Sequence, residues 1–222
     1  MTSPMSARTK TPWWRTSRAV LTAALAFLVV LMFVDTTFDS GDGDVPADTA
    51  VEYAKLNYEE FIVPGLVERA RPVQELVADI LADPQAAGEE FGRREDDGKP
   101  FSYAVAATGV VTEGPFGEVG LDVDGMPGGI TVGVSIPPLG SAPGLRDAGT
   151  ELTFGDFVNQ TEYQRVAVEI NNLAAEGVFA DLDLTTMMGE QITVVGAFTW
   201  SSETGGEVTH VSIMPVSIEE GS

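Results

Sequence analysis

The stretch Phe101–Thr112, with the sequence FSYAVAATGVVT, marks the point where the chain changes from helical to extended patterning. Its aromatic and β-branched residues, preceded by Pro100, are typical of a β-strand. Two further extended runs follow at Glu118–Asp124 and Ile130–Ile136, where apolar residues alternate with polar residues or glycine. Such alternation buries one face of a sheet and exposes the other. We therefore expect a sheet to begin at this stretch.

A helix is predicted after these three strands. Asp156 or Asn159 can cap its start, and the apolar residues that follow have helical spacing: Tyr163, Val166, Ala167, Ile170, Leu173 and Ala174. Two strands, Gln191–Trp200 and Val208–Ile218, close the chain. Glu151–Phe154 is either a separate short strand or a continuation of the third strand across a proline-rich loop.

This order of elements is that of an OB-type barrel, in which a helix between the third and fourth strands plugs one end of a small closed sheet. Before the sheet, apolar spacing predicts three helices: one from Thr49 to Phe61 that Pro64 ends, one from Pro72 that Asp83 ends, and one from Pro84 to Phe91. The predicted fold class is α+β. It consists of N-terminal helices (residues 49–99) and a small OB-like antiparallel β-barrel (residues 100–220) with one helix between strands.

The start of the chain has the pattern of a membrane anchor. A basic segment at residues 1–18 precedes an uncharged apolar block at residues 19–34, and no acidic residue occurs before Asp35. The positive-inside rule then predicts a single-pass protein with a cytoplasmic N-terminus and an extracytoplasmic C-terminal domain. Because the block has only 16 residues, a cleaved signal peptide is the competing interpretation, although no small-x-small site follows it. Residues 35–48 form an acidic linker.

The distribution of charged residues also changes between residues 34 and 35. Residues 1–34 hold four of the 12 Lys and Arg residues and none of the 34 acidic ones, so the remainder carries 34 acids against 8 cations, a net −26. Such a domain repels nucleic acid and anionic lipid, and nucleic acid is therefore not expected as a partner. Solubility or salt adaptation explains the acidity, and cationic partners are the less favoured alternative. The chain has no cysteine, which excludes disulfides, Cys-based zinc sites and a Cys nucleophile.

Polar residues cluster around the start of the predicted helix. The candidate ligand-binding or partner-binding residues are Arg146, Asp147, Asp156, Asn159, Gln160, Glu162 and Tyr163. A structural interpretation is sufficient for most of them, because acceptors at a helix start satisfy free backbone N–H groups. In the alternative interpretation, the side-chain amides of Asn159 and Gln160 hydrogen-bond a polyol or the backbone of a partner strand, and Tyr163 stacks on a sugar. Arg146 and Asp147 are expected to form an ion pair that is sensitive to substitution.

No catalytic residues, cofactor or metal site are predicted. His210, the single histidine, falls in a predicted strand without a serine motif and is expected to fill surface or core space. Asp122 and Asp124 share one face of a strand, which suits an ordinary polar face better than a cation site. Among 34 acids, sequence spacing alone cannot single out a glycosidase-like pair.

Four segments together resemble a known family: LRDA at residues 145–148, FGDFVNQTEY at 154–163, VVGAF at 194–198 and IMPVSI at 213–218. They are similar to the DUF2291 family of predicted periplasmic lipoproteins, over roughly residues 47–220. Members commonly carry a lipid on an N-terminal cysteine, which this chain replaces with an apolar segment. The resemblance implies a tethered extracytoplasmic domain, often encoded among sugar-import transporter components, with no established activity.

The function predicted from these observations is that of a membrane-anchored extracytoplasmic accessory or binding protein rather than an enzyme. Its expected partners are the membrane, through the N-terminal helix, and ABC transporter components or other envelope proteins. Two alternatives stay open: a carbohydrate-active hydrolase that uses unassigned carboxylates, and a calcium-responsive envelope domain.

Overall fold

The N-terminal part of the described chain is helical, as the sequence predicts. The computed structural model describes residues 49–157, 159–202 and 206–221. Its first helices are α1 (Thr49–Asn57), α2 (Val63–Arg69), α3 (Val73–Ala82) and α4 (Pro84–Phe91). The Asp83 side chain caps α4 by accepting from the N–H groups of Gln85 and Ala86, which confirms the predicted break between α3 and α4.

Pro64 does not end the first helix, and that prediction is wrong. The chain passes from α1 through a π-helical turn at Tyr58–Ile62 and continues through Pro64 as α2. In this turn the N–H of Val63 bonds to the carbonyl of Tyr58. Because proline lacks an N–H and its ring crowds the carbonyl four residues earlier, a wider turn just before Pro64 lets the helix go on.

Five strands close a small barrel after Pro100. They are β1 (Ser102–Glu113), β2 (Glu118–Asp122), β3 (Thr131–Ser135), β4 (Gln191–Thr199) and β5 (His210–Glu220). The hydrogen-bonded order is β1-β2-β3-β5-β4, and β4 returns to pair with β1. Two short extended segments, Arg71–Pro72 and Gly92–Arg93, also pair with β1. The closed sheet has the strand order of an OB-fold.

One of the five barrel ladders is not antiparallel. Strand β3 pairs with β5 in parallel, with Val132 opposite Val211 and Val134 opposite Ile213. The other four ladders are antiparallel, so the predicted antiparallel barrel is corrected at this ladder. The ladder between β4 and β5 shifts register between Val195 and Gly196 of β4, which leaves Val216 of β5 unpaired next to Pro215. This irregularity explains how a proline is tolerated inside a paired strand.

Two helices separate β3 from β4. They are α5 (Gly144–Gly149), which the sequence did not predict, and α6 (Gln160–Phe179), which it did. The short strand predicted at Glu151–Phe154 is wrong. Phe154–Asp156 instead forms a 3₁₀ turn, closed by hydrogen bonds between Thr153 and Asp156, and such a side-chain pair supplies the partners a strand would have needed.

Two apolar clusters form the core. The first fills the barrel and extends under α3, with members such as Leu76, Ile80 and Ile213. The second lies between the barrel wall and α1, α2, α5 and α6, and includes Leu66, Leu145 and Ile170. Because apolar burial drives folding, the helices are part of the same folded unit as the barrel, and Ala47–Ser222 are one compact unit.

The predicted basic segment, transmembrane anchor and acidic linker, at residues 1–18, 19–34 and 35–48, lie outside the described residues. Among the helices of residues 49–221 that the structure does describe, none has both the length and the apolarity needed to span a bilayer.

Candidate functional site

Arg146 is the centre of the site predicted around the start of α6. It lies on α5 and is 3% exposed. Its Nε and Nη2 atoms are each 2.7 Å from Asp147 Oδ1, and its Nη1 donates to the carbonyl of Tyr163 at 3.1 Å. The predicted Arg146–Asp147 ion pair is therefore present, and it also ties α5 to the first turn of α6.

Tyr163 completes this buried group. Its ring lies under the Arg146 guanidinium, with 3.5 Å between the guanidinium carbon and the ring centroid, a cation–π arrangement. Its hydroxyl is 3.4 Å from Asp147 Oδ1. Burial raises the pKa of Asp147, and Arg146 opposes that shift; burial and the Asp147 charge raise the pKa of Tyr163. Each of the three polar groups has partners within the cluster.

The other predicted site residues surround the helix start. Asn159 Oδ1 accepts from the Glu162 N–H at 3.0 Å, which makes Asn159 the N-cap of α6. Asp156 accepts from the Thr153 N–H and hydroxyl in the preceding turn. Gln160 is exposed, whereas Glu162 is buried. The geometry gives Asn159 and Asp156 capping contacts, and their proposed role in binding stays a prediction.

A second polar group lies on the outer face of the barrel, across β2, β3 and β5. Glu118 of β2 reaches over Gly133 of β3 to His210 of β5, with 2.7 Å between Glu118 Oε2 and His210 Nε2. A Cβ atom at Gly133 would collide with Glu118 Oε2 and approach His210 Nε2 to 3.0 Å. Glycine at this position therefore makes room for the contact between the two neighbouring strands.

Hydroxyl groups extend this contact on both sides. Ser212 hydrogen-bonds Glu118 and lies 2.9 Å from the Ser135 hydroxyl, and Thr131 Oγ1 is 2.8 Å from His210 Nδ1. Burial raises the pKa of Glu118, but the hydrogen bonds from His210 and Ser212 lower it more, so the net pKa lies below its usual value. Glu118 is thus an ionised acceptor at neutral pH, and we call these five residues the β2–β5 network.

An open cavity of about 810 Å³, here called the outer groove, contains part of this network. The β1–β2 loop supplies Pro115 and Phe116 to it, and the β4–β5 loop supplies Ser201, Ser202 and residues 207–209. Its floor includes Glu118, Ser135, His210, Ser212 and Met214. A smaller cavity of about 440 Å³ shares Pro115 and His210 with the groove. His210 therefore lines both cavities.

The sequence did not identify this second group. The sequence pattern predicts that His210 fills surface or core space, whereas the structure places it in contact with Glu118, 92 positions away. The signal that could have found it is the outward register of Glu118, Gly133 and His210, but only the parallel ladder between β3 and β5 brings these positions together. Asp122, by contrast, lines the smaller cavity, and in the described part of the chain no three acidic or histidine side chains are placed to hold a metal ion.

A comparison with solved structures gives the same fold. The chain is similar to the crystal structure of an OB-fold protein from Thermotoga maritima MSB8, with a TM-score of 0.57 and 15% identity over 78% of this chain and 98% of that chain. At this identity the likeness shows the fold alone. None of the curated proteins matches the chain.

A comparison with protein families covers almost the whole chain. The model described as "Predicted periplasmic lipoprotein (DUF2291)" matches residues 22–219. This description agrees with the extracytoplasmic, membrane-associated location predicted from the sequence. The chain therefore belongs to the DUF2291 family of predicted periplasmic lipoproteins.

Proposed function

We propose that this protein is a non-enzymatic binding or accessory module, held outside the cytoplasm by its N-terminal apolar segment as a single-pass anchor. It works with a sugar ABC transport system and contacts a component of that system through the loops that border the outer groove. The observation that carries the proposal is the outer groove itself, which the loops between β1 and β2 and between β4 and β5 border and to which β2 and β3 contribute Glu118 and Ser135. OB-folds use these two loops, together with the face of strands two and three, to bind their ligands.

The state of Glu118 supports binding rather than hydrolysis. A glycosidase general acid needs a carboxyl group whose pKa is raised, so that it holds a proton at neutral pH. Hydrogen bonds from His210 and Ser212 instead outweigh burial and keep the pKa of Glu118 low. An ionised carboxylate in a hydroxyl-rich groove suits recognition of a ligand, and we place the hydrolase and calcium-responsive alternatives second.

Site-specific photo-crosslinking in the native membrane tests the accessory role. A photoreactive amino acid replaces Ser201, an exposed residue of the β4–β5 loop beside the groove. We expect it to crosslink reproducibly to a transporter subunit or to a substrate-binding protein of that transporter. The matched control replaces Glu176, which is exposed on α6 and does not line the groove.

Equal crosslinking from the two positions, or none from Ser201, would count against contact through the groove loops. The location is tested separately by protease added to intact spheroplasts. We expect the described domain to be digested from the outside, and full protection of the domain would contradict the predicted topology.

A further inference from the structure

We propose that the outer groove binds a neutral oligosaccharide. Phe116 stacks on one sugar ring, and the side chains of Glu118, His210 and Ser212 form hydrogen bonds with the sugar hydroxyl groups. The inference rests on the proposed function and names the ligand class of the same site. Four features of the groove carry it: its size, its charge, its hydrogen-bonding groups and its exposed aromatic ring.

The size of the groove suits a small ligand of a few rings. Its volume of about 810 Å³ falls in the upper part of the range of small-molecule sites, roughly 300–1,000 Å³. It is open to solvent, and His210 also lines the smaller cavity of about 440 Å³. A ligand of more than one ring therefore has room in the groove.

The charge of the groove excludes anions. Two carboxylates, Glu118 and Glu207, line it, and its lining contains no Lys or Arg among the described residues. Residues 35–222 carry 34 acids against 8 cations. Nucleic acids, phosphorylated ligands and acidic sugars would be repelled, because the described lining has no Lys or Arg and its His210 already contacts Glu118.

The hydrogen-bonding groups match neutral hydroxyls better than a cation. Ser135, Ser212 and Thr209 line the groove, and a hydroxyl both donates and accepts, as the hydroxyls of a sugar do. The carboxylate of Glu118 already accepts from His210 and Ser212. Its charge is thereby partly compensated, which weakens its attraction for an ammonium group but leaves it acceptor capacity for a sugar hydroxyl.

Phe116 supplies the aromatic surface. It lies in the β1–β2 loop at the edge of the groove and is fully exposed, with a relative exposure of 107%. Gly117 follows it at a φ of +84°, which only glycine adopts readily, so the loop conformation that presents the ring depends on Gly117. A flat apolar ring beside convergent hydroxyl groups provides a surface for the C–H face of a sugar.

Saturation-transfer NMR on the purified full chain tests the inference. The protein is held in lauryldimethylamine oxide, because many common detergents carry a sugar headgroup that would compete. The neutral probes are maltotriose, cellotriose, xylotriose and galactotriose, and the charged comparators are trigalacturonic acid and the cationic trimer of glucosamine. We expect transfer to at least one neutral trisaccharide, weaker binding of its disaccharide, and none to trigalacturonic acid.

Two variants locate the binding to the groove. We expect Phe116→Ala and Glu118→Gln each to weaken binding of the neutral trisaccharide by about tenfold, as the loss of one aromatic or charge-assisted contact does. Phe61→Ala is the matched control, because Phe61 is also exposed, at 60%, but does not line the groove. It should bind like the unmodified protein, and circular dichroism should show native folding for all three variants.

Several results would overturn the inference. These are no transfer to any of the four neutral probes at about 10 mM, far above the dissociation constants of useful sites; stronger binding of the glucosamine trimer than of every neutral probe; or unchanged binding in both folded groove variants. Saccharide binding without a crosslinked transporter subunit would leave this inference standing and count against the accessory role. A crosslinked subunit without saccharide binding would do the reverse.

Discussion

At the scale of single residues, the charged contact between Glu118 and His210 is expected to affect the free energy of unfolding. Glu118 is mostly buried, with 16% of its side chain exposed, and His210 is at 32%. Hydrogen bonds to a carboxylate are worth roughly 1.5–3 kcal/mol when they are well shielded from water, and less where solvent screens them. The contact is therefore expected to contribute measurably to the free energy of unfolding, in a way that depends on pH.

Glu118→Gln tests that pH dependence. A carboxyl whose pKa is lower in the folded state stabilises the protein above its unfolded pKa and loses this contribution as the pH falls through the folded value. The ordinary glutamate pKa is 4.5, so the stability difference between wild type and variant should shrink as the pH falls below that value. Urea unfolding of both proteins across the acid range measures it. A difference that grows as the pH falls below 4.5 would contradict the assigned direction.

Gly133→Ala tests the close approach over β3. The added methyl group occupies the space that Glu118 and His210 use, so we expect a loss of about 1–3 kcal/mol, as for other overpacked sites. In a Glu118→Ala background the collision is relieved, and the same substitution should cost clearly less. A double-mutant cycle by urea unfolding gives the coupling, and additive effects would show that the strand itself, not the contact, requires glycine.

Arg146→Met tests the buried ion pair. Removing one partner leaves the Asp147 carboxyl buried without its counter-charge, and we expect a loss of about 3–5 kcal/mol in thermal or urea unfolding. Asp147→Asn in the same chain should restore part of it. The control is Arg165→Met on the exposed side of α6, which should change stability by less than about 0.5 kcal/mol. Equal losses from the two arginines would rule out a special role for the pair.

The Arg146–Asp147 pair could be predicted from the sequence because cations are scarce and the two residues are adjacent. The sequence could not predict that the pair is buried, that the Tyr163 ring lies beneath the guanidinium, or that Arg146 bonds the Tyr163 carbonyl. These features require α5 to pack on α6. The β2–β5 network could not be predicted either. Its members become neighbours only through tertiary pairing, which single-sequence patterns do not specify.

At the scale of elements, the start of α6 carries a prediction made from the sequence alone. Asn159→Ala removes the side chain that caps the helix and should lower stability by about 1 kcal/mol. Gln160→Ala, at the exposed first position of the helix, should change it little. Thermal unfolding of the two single variants separates the cap from its neighbour. Unchanged stability in Asn159→Ala would favour the binding interpretation of this residue.

Patterning predicted the long elements well and the short ones poorly. The alternation in Ile130–Ile136 and the helical stripe that includes Val166 and Ile170 correspond to β3 and α6, because many apolar positions report the same period. The segment Glu151–Phe154 is too short to show a period, and hydrogen bonds between Thr153 and Asp156 decide its conformation. Pro64 does not end the first helix as its position predicts, because a π-helical turn accommodates it.

At the scale of the whole molecule, the large negative net charge predicts how salt affects thermal stability, independently of the groove. The net charge of −26 on residues 35–222 produces self-repulsion in the folded state, which salt screens. We expect the midpoint of thermal unfolding to rise between low and moderate sodium chloride. Differential scanning calorimetry of the full chain measures it, and the arginine-paired sites make only a small opposing contribution. A midpoint that falls with salt would show that local ion pairs dominate.

The OB-type order of elements could be predicted because the long helix falls between the third and fourth strands. The closure of the barrel could not be read from any single strand, since it depends on a ladder between β1 and β4 that joins distant parts of the chain. The parallel ladder between β3 and β5 was missed for the same reason.

Because of that parallel ladder, the barrel can close only after β5 has been synthesised. Strand β5 follows the other four barrel strands in the chain, and it covers the free edges of both β3 and β4. A nascent polypeptide therefore has no closed barrel until β5 has been synthesised, and unpaired strand edges favour aggregation before then. Closure of the barrel thus waits for the strand that comes after the other four in the sequence.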